Sequence, residues 1–204
     1  QILEPYYKAT DNWRQLIGVC EIMVSHSYDP TAKIDLLHRI GELYEVAGED
    51  VQAAFDVYGR ALREDAAHEE TQACLERLAR QLEGWDALVN LYNTLIPDVM
   101  DPQLAVALHM KVATIHDERR GDLAAAAEAY RKILAIDPQH LAAVDALEQT
   151  YLRAEAHDQL VEVLLKKAEI VLDAAERKQL FFRAAQIYEE VLENSQKAIS
   201  VYQM

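Results

Sequence analysis

The chain has 204 residues, of which 51% are hydrophobic and 27% charged, a composition that supports a packed core and excludes a disordered tail. Acidic residues outnumber basic ones by 35 to 20, for a formal net charge of −15, which excludes a nucleic-acid backbone as a general partner because phosphates are held by basic surfaces. Six glycines and five prolines are too few for a turn-rich all-β fold. No run approaches the roughly 18 apolar residues of a membrane span, so membrane insertion is not expected. Cys20 and Cys74 lie in apolar stretches and read as small buried hydrophobes, not as a disulfide framework. The opening Gln1 and the amphipathic pattern running up to Met204 read as a fragment of a longer array.

The chain repeats itself. Shifted by 72 residues, positions 3–74 and 75–146 are identical at 14 of 72 places without a gap. Leu3-Glu4 meets Leu75-Glu76 and Leu147-Glu148, Trp13 meets Trp85, and Leu16 meets Leu88 and Leu160. The matches continue through Asp29/Asp101/Asp173, Leu36/Leu108/Leu180 and Tyr58/Tyr130/Tyr202. They fall where turns and core contacts are needed, which marks a structural repeat, with units at about 3–74, 75–146 and 147–204.

Taken in chain order, the first unit shows a helix start at Asp29-Pro30. There the carboxylate accepts orphan N–H groups and proline sits where no N–H is needed. In the central unit a first helix spans about 67–82 and a second begins near Trp85, with Leu88, Leu91, Tyr92 and Leu95 on one face. A third follows Asp101-Pro102, and a fourth follows Gly121-Asp122, where glycine suits a left-handed helix end. Pro138 disfavours helix at Asp137 and stops the fourth. Spacings of three and four throughout indicate amphipathic helices. Loops of a few residues make neighbours antiparallel, so the chain is predicted to be all-α, with roughly six hairpins and about twelve helices. A hairpin cannot bury its own stripe, but stacked hairpins can.

Gly121-Asp122 … Ala126 … Tyr130 … Ile133 … Pro138 resembles the second helix of the tetratricopeptide repeat family. Tyr44 … Gly48 … Ala54 … Tyr58 … Ala61 repeats the pattern with one extra loop residue, and Tyr151 and Tyr188 take the first-helix aromatic position. His116 replaces that aromatic, and the hairpin led by Trp85 follows the pattern poorly. The resemblance implies a single α-solenoid over residues 1–204, wound as a right-handed superhelix. It also implies a non-catalytic scaffold that binds a partner segment on its concave face.

The chemistry-bearing residues fit that reading. His109 and His116 are seven apart, not at the four-residue spacing that puts two imidazoles on one zinc, and read as packing residues. His68 and His140 recur at helix starts and read as caps or loop residues. Carboxylates spread along exposed faces, and there is neither a nucleophile elbow nor a glycine-rich phosphate loop. No catalytic, metal or cofactor site is expected.

One surface pattern points to a partner. Arg39, Lys111 and Arg183 recur every 72 residues on the first helix of the Asp-Pro hairpins, and Arg77, Arg80 and Arg153 lie on the intervening ones. By register the inner face also carries Asp35, His38, Glu42 and Glu45. Ala107, Met110, Thr114 and Asp117 follow in the second unit, and Gln179, Phe182, Gln186 and Glu189 in the third. The family's carboxylate-grasping groove places Asn beside Lys, which these positions lack. Cations on one ridge of an acidic chain predict an acidic protein or peptide segment as the partner. The plainer reading is that they pair with carboxylates one turn away, as Asp35 with Arg39. Apolar residues at both ends predict self-association by stacking as the alternative role, that of a spacer in a longer repeat protein.

Overall fold

Asp-Pro pairs and apolar residues at spacings of three and four dictate helices, and the computed structural model, which describes residues 12–204, is built of them. In the unit reaching to Val99, the helices are α1 (Trp13–His26), α2 (Pro30–Val46), α3 (Val51–Glu64), α4 (Glu69–Leu82) and α5 (Trp85–Leu95), the last followed by a 3-10 turn, Ile96–Asp98. In the unit from Met100 onward they are α6 (Pro102–Thr114), α7 (Leu123–Ile136), α8 (Leu141–Arg153), α9 (His157–Ile170), α10 (Ala174–Gln186) and α11 (Ser195–Tyr202). Wide π-helical turns, Ile115–Arg120 and Ile187–Val191, extend α6 and α10. The described residues thus hold eleven α-helices, and the Leu3-Glu4 match lies outside them.

The register of 72 holds to the residue. Helices start at Trp13, Trp85 and His157, at Pro30, Pro102 and Ala174, at Val51, Leu123 and Ser195, and at Glu69 and Leu141. The caps repeat with them. The carboxylates of Asp29, Asp101 and Asp173 accept from the backbone N–H of Thr31, Gln103 and Ala175. Asp50, Asp122 and Asn194 accept from Ala53, Ala125 and Lys197. His68 and His140 are caps as well: their Nδ1 atoms accept from the N–H of Thr71 and Ala143.

Each helix packs on its sequence neighbours. In the first unit α1 packs on α2, α2 on α3, α3 on α4 and α4 on α5; in the second the chain of contacts runs from α6 to α11 in the same order. Pairs joined by such short turns run antiparallel. Leu16, Leu88 and Leu160, one register apart, are all buried. Leu16, Ile17, Cys20, Leu37, Ile40, Val57 and Ala61 form one cluster, with Trp13 and Tyr44 packed on its edge. Trp85 is only half-buried at the start of α5, so it covers the core's rim and not its centre. Small residues let the helices close up: a Cβ on Gly41 would sit 2.6 Å from the Tyr58 ring, and alanines, Ala113 and Ala185, stand at the same register.

All five described residues with left-handed backbone fall at two register positions: Glu49, Gly121 and Glu193 (φ 51, 65 and 50°), and Glu83 and Glu155 (both 52°). At the first position the next N–H, of Asp50, Asp122 and Asn194, donates back to the carbonyl of Tyr44, His116 and Tyr188, which closes the helix end. This corrects the expectation of an extra residue in the Gly48 loop. Asp50 and Asp122 bond back to Tyr44 and His116 over the same six residues, so no residue is inserted and Glu49, not Gly48, takes the left-handed place of Gly121. Gly48 serves close packing instead, since a Cβ there would lie 3.0 Å from the Trp13 ring.

An L-residue in that conformation crowds its own Cβ against the backbone. Glu83→Gly and Glu155→Gly are each expected to raise stability by about 0.5–1 kcal/mol, and Gly121→Ala to lower it by about 1 kcal/mol. Urea midpoints on the three variants check this; a destabilised Glu83→Gly would contradict it.

Candidate functional site

The helices that lead alternate hairpins, α2, α6 and α10, bury one side and leave the other outside the core. That other side carries the predicted face: Asp35, Glu42, Ala107, Gln179, Phe182 and Glu189 are exposed, and His38, Glu45, Met110, Thr114, Asp117 and Gln186 are half-buried. His38, Met110 and Phe182 share one register position, as do Arg39, Lys111 and Arg183. Arg39 and Lys111 are half-buried and interact with neighbouring groups. Arg80 is exposed in the last turn of α4.

Three of the predicted ridge cations are neutralised by carboxylates of the neighbouring first helix. Arg77 of α4 grips Glu45 of α2 with both terminal nitrogens, at 2.7 and 2.9 Å. Arg153 of α8 pairs with Asp117. Arg183 of α10 pairs with Glu148 of α8 at 2.5 Å. The plainer reading of the sequence therefore holds for these three, with one correction: the pairs bridge hairpins 32 to 36 residues apart, not turns of one helix. Glu45 and Asp117 share a register position, whereas Arg77 and Arg153 reach them from positions one helical turn apart.

Glu148 stood out in the sequence only as a repeat match, not as an acceptor for cations. Its side chain is only 4% exposed and also accepts from Lys167 of α9 at 3.0 Å, with Asp145 2.8 Å from the same ammonium. Burial pulls the Lys167 ammonium down, but the bonds to Asp145 and Glu148 outweigh it and hold the group above the usual lysine range. A buried carboxylate is tolerated because two cations compensate its lost hydration. For Arg77, the bond to Glu45 raises the guanidinium above its ordinary value despite burial.

The same register position has two different surroundings. In the second unit a groove of about 600 Å³ is lined by Val106, Ala107, Met110 and Ile136 together with Gln103, Asp137 and His140. In the first unit a polar chain stands there. Thr71 stands between two rings: its Oγ1 lies 2.6 Å from Nε2 of His38 and 2.8 Å from Nδ1 of His68. Nδ1 of His68 also accepts from the Thr71 N–H, which ties the three residues together. The His38 ring stands edge-on to Tyr58, with centroids 5.0 Å apart.

Burial pushes the His38 imidazole below the ordinary histidine value; Glu70, Glu42 and Asp35 pull it up, and His68 pulls it down. His109 is lowered by its burial and then by Lys132, and His109 and His116 are both buried. Among the described residues no group of three or more His, Cys, Asp or Glu is placed to hold a metal, and no helix is long and apolar enough to cross a membrane.

No family model and no curated protein matches the chain. Among solved structures it is similar to tetratricopeptide-repeat proteins over nearly its full length. One is the TPR2AB domain of yeast Sti1, solved as a complex with pHSP90: 13% identity, 97% of this chain and 80% of that chain covered, TM-score 0.34. Another is the C-terminal part of a TPR repeat-containing protein from Cytophaga hutchinsonii: 12% identity, 97% and 92% covered, TM-score 0.33.

Glu148→Gln removes the negative charge that Arg183 and Lys167 share, while Lys167 keeps Asp145, so the expected cost is about 1–3 kcal/mol by chemical denaturation; no loss would mean the pairs contribute nothing. The lowered histidines set a pH dependence. The unfolded chain protonates them near pH ~6.5 while the folded chain resists, so their contribution is complete above that value and is lost as pH falls through the folded pKa. Replacing His38 by the methionine of the next unit, His38→Met, is expected to shrink the fall in urea midpoint between about pH 7.5 and 5.5. An unchanged fall would show that His38 does not report on folding.

Proposed function

We propose that the chain is a non-catalytic protein-interaction module that binds a partner segment on its concave face, the side of the first helices that carries His38, Met110 and Phe182. The carrying observation is the contrast between frame and face. One register position on these helices is Leu36, Leu108 and Leu180, and another is Gly41, Ala113 and Ala185, whereas the outward position is His38, Met110 and Phe182, and the next is Asp35, Ala107 and Gln179. A frame held constant while its outward residues change from unit to unit supports recognition of a non-repeating partner. The open groove beside Met110, where Val106, Ala107 and Ile136 stand with Gln103, Asp137 and His140, suits an apolar side chain with polar neighbours. Lys111, the next residue along, favours a segment whose other residues are acidic, as Arg39 and Arg80 do in the first unit. Arg77, Arg153 and Arg183 are about half exposed, and their charge is already met by Glu45, Asp117 and Glu148.

The test is titration with a library of extended acidic peptides, each bearing one bulky apolar residue. Met110→Glu is expected to weaken the best binder about tenfold or more, Lys111→Glu to weaken it less, and added salt to reduce affinity. Affinity indifferent to Met110→Glu, Lys111→Glu and salt would overturn the assignment of this face.

A further inference from the structure

Two residues change together between the first and second units. His68 caps α4 and His140 caps α8 at the same register, but Thr71 gives way to Ala143, and His38 gives way to Met110. His38 and Thr71 are 33 residues apart in sequence, yet Nε2 of the first lies 2.6 Å from Oγ1 of the second. The second unit thus keeps a histidine cap alone, whereas the first ties its cap to the neighbouring hairpin. The cap works only while Nδ1 of His68 is free of a proton. It accepts from the Thr71 N–H at 3.2 Å, and a protonated ring nitrogen accepts nothing. Thr71 is fully buried, so water does not stand in for the lost acceptor. The two rings have centroids 5.3 Å apart, and His68 sits at the positive end of α4.

We infer that His38, Thr71 and His68 form a proton-sensitive latch between α2 and α4: with both rings neutral it holds the start of α4 against α2, and with both charged it opens, freeing the first turn of α4 and releasing His38 to solvent. Charged groups face the latch from each helix around it. Burial disfavours the charged His38 ring most and His68 adds to this, while Glu70 of α4 and Glu42 and Asp35 of α2 oppose; the balance holds His38 below the ordinary histidine value. From α3, the Tyr58 ring meets His38 edge-on, and burial, with Cys74, Glu45 and Glu42 nearby, keeps its phenol protonated well above the ordinary range. Glu64, at the end of α3, is taken by Lys33 of α2 at 3.1 Å, and Asp65, in the turn before His68, by the N–H of Ala67 at 2.9 Å. The carboxylates left near the rings are too weak a counterweight to the buried, acceptor-dependent cap. The latch is therefore complete at neutral pH and is lost as pH falls through the range in which histidine takes up a proton. Its opening involves no partner, so its failure is distinguishable from failure of the face around Met110.

The test is amide hydrogen exchange on the whole chain at pH 7.5 and 5.5, read as protection factors at Thr71 and Gln72 of α4 and at the matching Ala143 and Val144 of α8. Protection at Thr71 and Gln72 is expected to fall about tenfold or more at the lower pH, and at Ala143 and Val144 by clearly less, because the second unit has the cap without the latch. His68→Asn supplies a cap oxygen that takes up no proton, so it should keep the α4 protection nearly level between the two values. The pair His38→Met with Thr71→Ala installs the second unit's residues and should reduce the α4 fall to that of α8. Three results overturn the proposal: α4 protection that does not change with pH, an equal fall at α8, or a fall at α4 that persists in both the His68→Asn chain and the double variant.

Discussion

A helix of fourteen or so residues with an apolar stripe cannot stay helical in water unless something covers the stripe. In each unit the cover comes from the helices just before and just after in sequence. Everything else follows from this constraint. Successive helices must begin at fixed intervals, or the stripes would not meet, and the helix starts recur 72 residues apart to the residue. The side of a first helix that meets no neighbour is relieved of packing duty and is free to vary.

Polar groups enforce the register. The Asp, Asn and His caps fix where helices begin, and the left-handed residues fix where they end, at the same two register positions among the described residues. Between hairpins, arginines of one first helix hold carboxylates of the previous one, as with Arg77 and Glu45. Such pairs contribute little each where exposed, but they set how far one hairpin slides along the next. Glu148 goes further: buried beneath Arg183 and Lys167, it makes misregister costly because it would be stranded without cations.

Much of the frame was legible in the sequence. Asp29-Pro30 and Asp101-Pro102 carry both halves of a helix start, the acceptor and the residue needing no N–H, and the structure begins helices there. Leu16, Leu88 and Leu160 betrayed the core by their spacing. What escaped were features that no local signal encodes. Glu49 and Glu193 occupy left-handed backbone that a reader assigns to glycine, and Gly48 stands one residue away as a decoy. The pairs from Arg77, Arg153 and Arg183 span 32 to 36 residues, so cations that looked available on a ridge are committed to the frame. The difference between the units was illegible for a related reason: His38 and Met110 occupy one position, and only the packing of Thr71 and His68 shows that a polar chain stands in one unit where a groove opens in the other.

The central claim is that neighbours along the chain supply all the burial a 72-residue unit needs. Inserting a second copy of residues 75–146 directly after residue 146 tests it most directly. The account predicts a folded chain with the same helical signal per residue, and a urea m-value that rises with the added buried surface. A chain that aggregates, or whose inserted unit stays unfolded beside a native remainder, would contradict it.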